Sequence, residues 1–343
     1  MIGNKAIFKT ILLLILINIG CRQQHILTQN IQHDIKAGPF PWSHLDFDND
    51  IDKFSFAVVS DLFGGERPGV FNVALEQINL LRPELIMCVG DLIDGATEDK
   101  VQLTKEWTEF ESKESKARAP FFYTGGNHDL TNLVMRDVWK DRYGPRYYHF
   151  VYKNVLFLIL DSEDYQDDKM MELYKARAIA LEIRDGKREG NVATTPYFKM
   201  EERRTGEIGA EQSAYFQKVI SKNPDVDWTF LFMHKPVWLR KGGGNLDLIE
   251  AALGTSKYTV FNGHRHNYQH TLRKDRDYIM LGTTGGGQND KSDMAFDHFT
   301  MITMTGEGPS IANLKLEGVL NKEGLIPAKG DTLCFQASKC LNK

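Results

Sequence analysis

The sequence predicts an α/β fold, a four-layer α/β/β/α sandwich of two mixed β-sheets flanked by helices. Short β-branched and aromatic runs alternate with longer stretches of helical periodicity, the pattern of sheets covered by helices. Several of the apolar runs end directly on residues that can ligate a metal. The 343 residues hold one large sandwich or two small domains, and 42% hydrophobic with 26% charged residues is ordinary for a globular chain.

Taken in order, Phe54 to Ser60 is an apolar strand that leads to Asp61, and Leu85 to Gly90 leads to Asp91. Between them, Val70, Ala74, Ile78 and Leu81 fall at helical spacing and the run stops at Pro83. Glu98 to Lys116 reads as a charge-rich helix with Val101, Trp107 and Phe110 as its apolar positions. Phe121 to Gly126 leads to Asn127-His128-Asp129, after which Thr131 is the expected cap of a helix holding Val134, Val138 and Trp139. Tyr147 to Phe150 and Val155 to Ser162 read as a hairpin. Trp228 to Met233 leads to His234, and Tyr258 to Gly263 leads to His264-Arg265-His266. Further strands are expected at 278–281, 298–303 and 311–316.

Ligands in open α/β sheets bind where the carboxyl ends of strands converge. Two carboxylates, an amide and three imidazoles at such ends form the oxygen and nitrogen donor set of a two-metal hydrolase. No G-x-S-x-G or Ser or Cys triad competes with that reading. A net charge of −4 gives no general pull toward nucleic acid or an anionic membrane.

The ordered motifs resemble those of the calcineurin-like metallophosphoesterases, whose signature runs D-x-H, G-D-x-x-D, G-N-H-[DE], a lone His and G-H-x-H. Here they read Asp61-Leu62-Phe63, Gly90-Asp91-Leu92-Ile93-Asp94, Gly126-Asn127-His128-Asp129, His234 and Gly263-His264-Arg265-His266. Gly209 to Gln212 resembles the start of the family's helix before the fourth motif, and the likeness covers roughly 54–287. The resemblance implies a first metal on Asp61, Asp91 and His266, and a second on Asp91, Asn127, His234 and His264. It makes Asp91 the bridge and His128 the group that stabilises the transition state or protonates the leaving oxygen. Asp94 orients His128 in most of the family. The expected cofactor is manganese, iron or zinc, one or two ions per chain, and the expected reaction is in-line attack on a phosphate ester by metal-activated water.

Phe63 departs from the pattern, because it stands where the family has a histidine ligand. The first site is therefore expected to be one ligand short, with Asp94 as a candidate substitute. The purple acid phosphatases place a tyrosine ligand at that spacing. An imidazole restored at position 63 is expected to raise first-site affinity. Three functions stay open: a phosphatase of small phosphomonoesters or nucleotides, a phosphodiesterase or nuclease on the same scaffold, and a weakened member that binds phosphorylated ligands. Arg265 and Arg240, the latter beside a run of glycines, are candidate substrate-binding cations.

The remaining segments are accessory. Lys5 and Lys9, the apolar run Ile11 to Ile19 and Gly20-Cys21 describe an export signal. The Gly20-Cys21 junction resembles the bacterial lipobox, which implies lipidation at Cys21 and a periplasmic or cell-surface lipoprotein anchored in a membrane; an ordinary cleaved signal is the alternative. This divides the chain into a leader at 1–21, a tether and lead-in at 22–51, the phosphoesterase domain at 52–305 and a C-terminal strand and tail at 306–343. Residues 162–209 interrupt the strand–helix rhythm and read as a cap over the site or as a surface insertion. Cys88 reads as a small buried hydrophobe, and Cys334 with Cys340 as a pair able to close a loop.

Overall fold

Alternation along the strands sorts their side chains onto two faces, and that sorting builds the layers. In β1 (Phe54–Val59), Phe54, Phe56 and Val58 enter one core while Ala57 and Val59 enter another. In β5 (Val155–Ile159), Val155, Phe157 and Ile159 meet the side chains from β1, whereas Leu156 and Leu158 face the opposite way. The computed structural model describes residues 31–48, 54–242, 244–288 and 292–336. The leader with Cys21, the first part of the tether and Cys340 lie outside the described residues.

One sheet has five strands in the order β11-β10-β1-β2-β3, where β2 is Leu85–Cys88, β3 Phe121–Phe122, β10 His298–Thr305 and β11 Gly308–Lys315. The other has six, β4-β5-β6-β7-β9-β8, where β4 is Tyr148–Tyr152, β6 Trp228–Phe232, β7 Tyr258–Asn262, β8 Gln269–Arg273 and β9 Arg276–Met280. Strands β1, β2 and β3 run parallel, as do β5, β6, β7 and β9. The sheets pack face to face through a phenylalanine-rich layer that includes Phe56, Phe122, Phe150, Phe157 and Phe230. Truncating one such ring to alanine costs about 3–5 kcal/mol.

Helices α1 (Val70–Leu81), α2 (Lys100–Glu114) and α3 (Leu133–Tyr143) cover the first sheet. Helices α7 (Ala210–Lys222) and α8 (Asn245–Leu253) cover the second. This is the α/β/β/α sandwich that the sequence predicts. Three details differ. In α2, Val101 is 80% exposed and Leu103 takes the buried position. The cap of α3 is Asn132, whose Oδ1 accepts from the Met135 N–H at 2.9 Å. Helix α8 follows the glycine run directly, over residues to which the sequence reading assigns no element.

The accessory segments are more integrated than a tether and a tail. Gln32 bridges Val151, and Trp42 bridges Phe122 and joins the core between the sheets. At the other end Phe335 is buried against the first core. The carbonyls of Cys334 and Phe335 accept from Arg67 Nη1 at 3.2 and 3.3 Å. Cys334 is disulfide-bonded. Cys88 is buried and free, as read from the sequence.

Candidate metal centre

Parallel strands end on one side of each sheet, so the loops after β1, β2, β3, β6 and β7 meet there. The first two loops are laced together: the Asp61 N–H donates to Gly90 O at 3.2 Å, and the N–H groups of Leu62 and Phe63 donate to Asp91 O at 3.1 Å each. Asp129 pins the third loop to the second. Its buried carboxylate accepts from the N–H groups of Gly126, Asp91, Leu92 and Ile93 at 2.7–3.2 Å. Asp61, Asp91, His264 and His266 all have left-handed backbone, with φ of 45°, 58°, 77° and 52°. Such conformations cost about 1–3 kcal/mol each and persist where surrounding structure enforces them.

Backbone carbonyls orient all three candidate imidazole ligands. His234 Nδ1 donates to Val89 O at 2.9 Å, His264 Nε2 to Arg203 O at 2.7 Å, and His266 Nδ1 to Gly287 O. A carbonyl can only accept, so each bond fixes a tautomer and leaves the other nitrogen bare. Those bare nitrogens converge on the carboxylates. His266 Nε2 lies 3.2 Å from Asp61 Oδ1, and His234 Nε2 lies 3.2 Å from Asp91 Oδ2. His264 Nδ1 is also 3.2 Å from His234 Nε2.

At that separation the two nitrogens need a proton or a metal ion between them. Asn127 Oδ1 is buried with no hydrogen-bond partner. Asp61, Asp91 and His266 offer ligand atoms within 4.8 Å of one another. A Cβ on Gly126 would lie 2.3 Å from Asp91 Oδ1, and one on Gly64 would lie 2.8 Å from His266 Cε1. The residues therefore fit a pair of ions. Burial opposes charge on His234, yet Asp91 beside it prevails and pushes the imidazole up to about 9. Burial likewise opposes ionisation of Asp91, but His234 and His128 hold its carboxyl well below the usual range. The centre is built to stabilise cations.

Phe63 contributes no donor here. Its ring packs on the core beneath α1 and α2, with Lys113 Nζ 5.4 Å from the ring centroid. Gly64 and Gly65, not Phe63, line the cleft above the centre. To reach the centre, an imidazole at position 63 would have to turn away from the direction the phenyl ring takes. Asp94 does not join the group formed by Asp61, Asp91 and His266. Its carboxylate is 65% exposed and 3.8 Å from His128 Nδ1, while its backbone carbonyl accepts from that nitrogen at 2.6 Å. Asp94 thus orients His128 through its main chain.

The cleft measures about 960 Å³, and residues of the 162–209 segment form much of its wall. Helix α4 (Asp167–Arg184) supplies Arg177, Ala180, Leu181 and Arg184; the short helices α5 (Pro196–Lys199) and α6 (Glu202–Thr205) supply Tyr197, Phe198, Arg203 and Arg204. Arg177 is buried. Its Nη1 donates to Asn127 O at 2.8 Å and its Nη2 reaches His128 Nε2 at 3.0 Å. Sequence reasoning missed it, because no motif or apolar run marks it. Arg265 lines the cleft as expected, but Arg240 does not. Arg240 is held by Gly206 O, Glu202 and Glu207 at 3.0–3.3 Å, which spends its charge on bracing the insertion.

The match to known proteins agrees with this geometry. The family model for calcineurin-like phosphoesterases matches residues 54–268. The chain belongs to that family. Its metal-dependent hydrolysis of phosphoric esters follows from membership. Among solved structures, a dimetal phosphatase from Danio rerio is 12% identical with a TM-score of 0.50, covering 76% of this chain and 98% of that one. The anchor of the inner membrane complex of Plasmodium is 17% identical at a TM-score of 0.47, covering 80% and 87%. A 5'-nucleotidase from Candida albicans is 12% identical at 0.44, covering 83% of this phosphoesterase and 54% of the nucleotidase. No curated protein sequence matches significantly.

Proposed function

We propose that this phosphoesterase is an exported enzyme that hydrolyses small phosphomonoesters, nucleotides among them. Asp61, Asp91 and His266 would hold one ion and Asp91, Asn127, His234 and His264 the other. The mixed carboxylate, amide and imidazole set suits manganese, iron or zinc. Such ions, when bound, lower the pKa of water to about 7 and neutralise phosphoryl oxygens.

The rest is done by the chain. Arg177 stands beside His128 at the cleft floor, where its guanidinium donates to an arriving phosphoryl oxygen. That turn frees the Nε2 lone pair of His128, which takes a proton from water once the phosphate's negative charge is beside it and passes that proton to the leaving oxygen, while Asp94 O keeps the ring fixed through Nδ1. Helices α4, α5 and α6 act as a cap that limits the size of the leaving group and keeps bulk water off the phosphate. The first site has a single imidazole, so the second fills first. The basic, apolar leader ending at Gly20-Cys21 supports export and a lipid anchor at Cys21.

The observation that carries this reading is the convergence of three tautomer-fixed imidazoles on two carboxylates beneath an arginine-lined cleft. The test is turnover of p-nitrophenyl phosphate and of bis(p-nitrophenyl) phosphate by protein loaded with manganese, iron or zinc. Faster monoester hydrolysis that is abolished by chelation is expected. Turnover that survives thorough chelation, or a diester preference, overturns it.

A further inference from the structure

We infer that the substrate carries a second phosphoryl group, held by a cationic rim that the insertion and the last histidine motif build together. This rests on the phosphoesterase reading and narrows its substrate class. Five arginines line the cleft: Arg177, Arg184, Arg203, Arg204 and Arg265. The chain as a whole carries a net charge of −4, so the concentration is local.

The bonding of these arginines differs in a way that separates structure from recognition. Arg177 is engaged at His128 and Asn127, and Arg184 pairs with Asp185 at 2.8 Å. Arg203 lies over the Phe198 ring at 3.8 Å. Among the described residues, neither Arg204 nor Arg265 has a carboxylate partner. Both are exposed at the cleft wall, where an anion entering the cleft can take them as partners.

Their position selects a second phosphate and not the scissile one. Arg265 stands between His264 and His266, and Arg203, next to Arg204, gives its carbonyl to His264 at 2.7 Å. Both guanidinium groups therefore spring from backbone that touches the metal centre but belong to its exposed rim. A guanidinium fork matches phosphate geometry. A cleft of about 960 Å³ suits a small molecule, such as a diphosphate or bisphosphate.

The probes are methylenebisphosphonate and methylphosphonate, titrated calorimetrically into metal-loaded protein and into Arg204→Gln/Arg265→Gln. The bisphosphonate is expected to bind the parent about tenfold or more tighter, a charge-assisted contact supplying roughly that factor. The gap should close in the double variant and return in part in Arg204→Lys/Arg265→Lys. Equal affinity in the parent overturns the inference. A gap that survives in the double variant also overturns it, because metal chelation alone then explains the preference. Turnover of p-nitrophenyl phosphate by the same parent sample tests the phosphoesterase reading separately: activity without a binding gap defeats only this inference.

Discussion

Arg177 Nη2 lies 3.0 Å from His128 Nε2, a contact between the insertion and the third metal-loop motif. A guanidinium only donates, so His128 accepts there, and it donates through Nδ1 to Asp94 O at 2.6 Å. The resting ring is thus neutral with Nε2 bare, and it can take up and pass on a proton there only when the phosphate draws Arg177 away.

Arg177→Gln should lower kcat by about 10²–10³-fold, the loss typical of one preorganised donor. His128→Ala should lower kcat by about 10²–10⁴-fold. Metal content should be unchanged in both, measured by elemental analysis. Loss of metal from either variant would show that the residue supports the centre and not the reaction.

The ligands should empty separately. His264→Ala is expected to remove the tightly held ion, and His266→Ala the weaker one, in titrations followed by calorimetry. Phe63→His should leave both steps in place and lower stability, because the side chain points to the core. A single merged step in that variant would show that the imidazole reaches the centre after all.

Gly64 should tolerate no side chain. Its φ is +80° and a Cβ would sit 2.8 Å from His266 Cε1. Gly64→Ala is expected to weaken the first site by about 10–100-fold, as losses around ligands do, and to spare the second. Equal weakening of both sites would contradict the assignment of His266.

Much of this was legible in the sequence, since each ligand follows an apolar strand and strand ends converge. The layers follow from the same alternation: Phe56 and Phe157 mark the face between the sheets. What could not be read was long-range. Arg177 meets His128 across 49 positions through α4, whose charged surface resembles any solvated helix. Arg240 looked like a phosphate ligand beside flexible glycines, and its glutamate partners come from a segment with no periodic signal. The direction of Phe63 depended on how the loop after β1 packs, which no local pattern encodes.

Stability should carry a signature of Glu114. Burial pushes this carboxyl up to about 7 from its ordinary 4.5. The folded chain therefore binds that proton more tightly than the unfolded one, and stability is lost as pH rises from 4.5 toward 7. Glu114→Gln should remove the decline, gaining up to about 3 kcal/mol on the parent between pH 5 and pH 8 in urea melts. An unchanged difference across that range would place the carboxylate in a better-solvated setting.

Location is separable from chemistry. Cys21→Ser should move the protein from the membrane fraction to the soluble exported fraction. An unchanged distribution would favour a simple cleaved signal over a lipid anchor.

The most direct measurement is anomalous X-ray scattering from crystals given one equivalent of manganese and then an excess. One equivalent should give a single peak bounded by Asp91 Oδ2, Asn127 Oδ1, His234 Nε2 and His264 Nδ1. Excess should add a second, weaker peak beside Asp61 and His266. A first peak at Asp61 and His266, or none among these residues, would contradict the asymmetric two-metal centre.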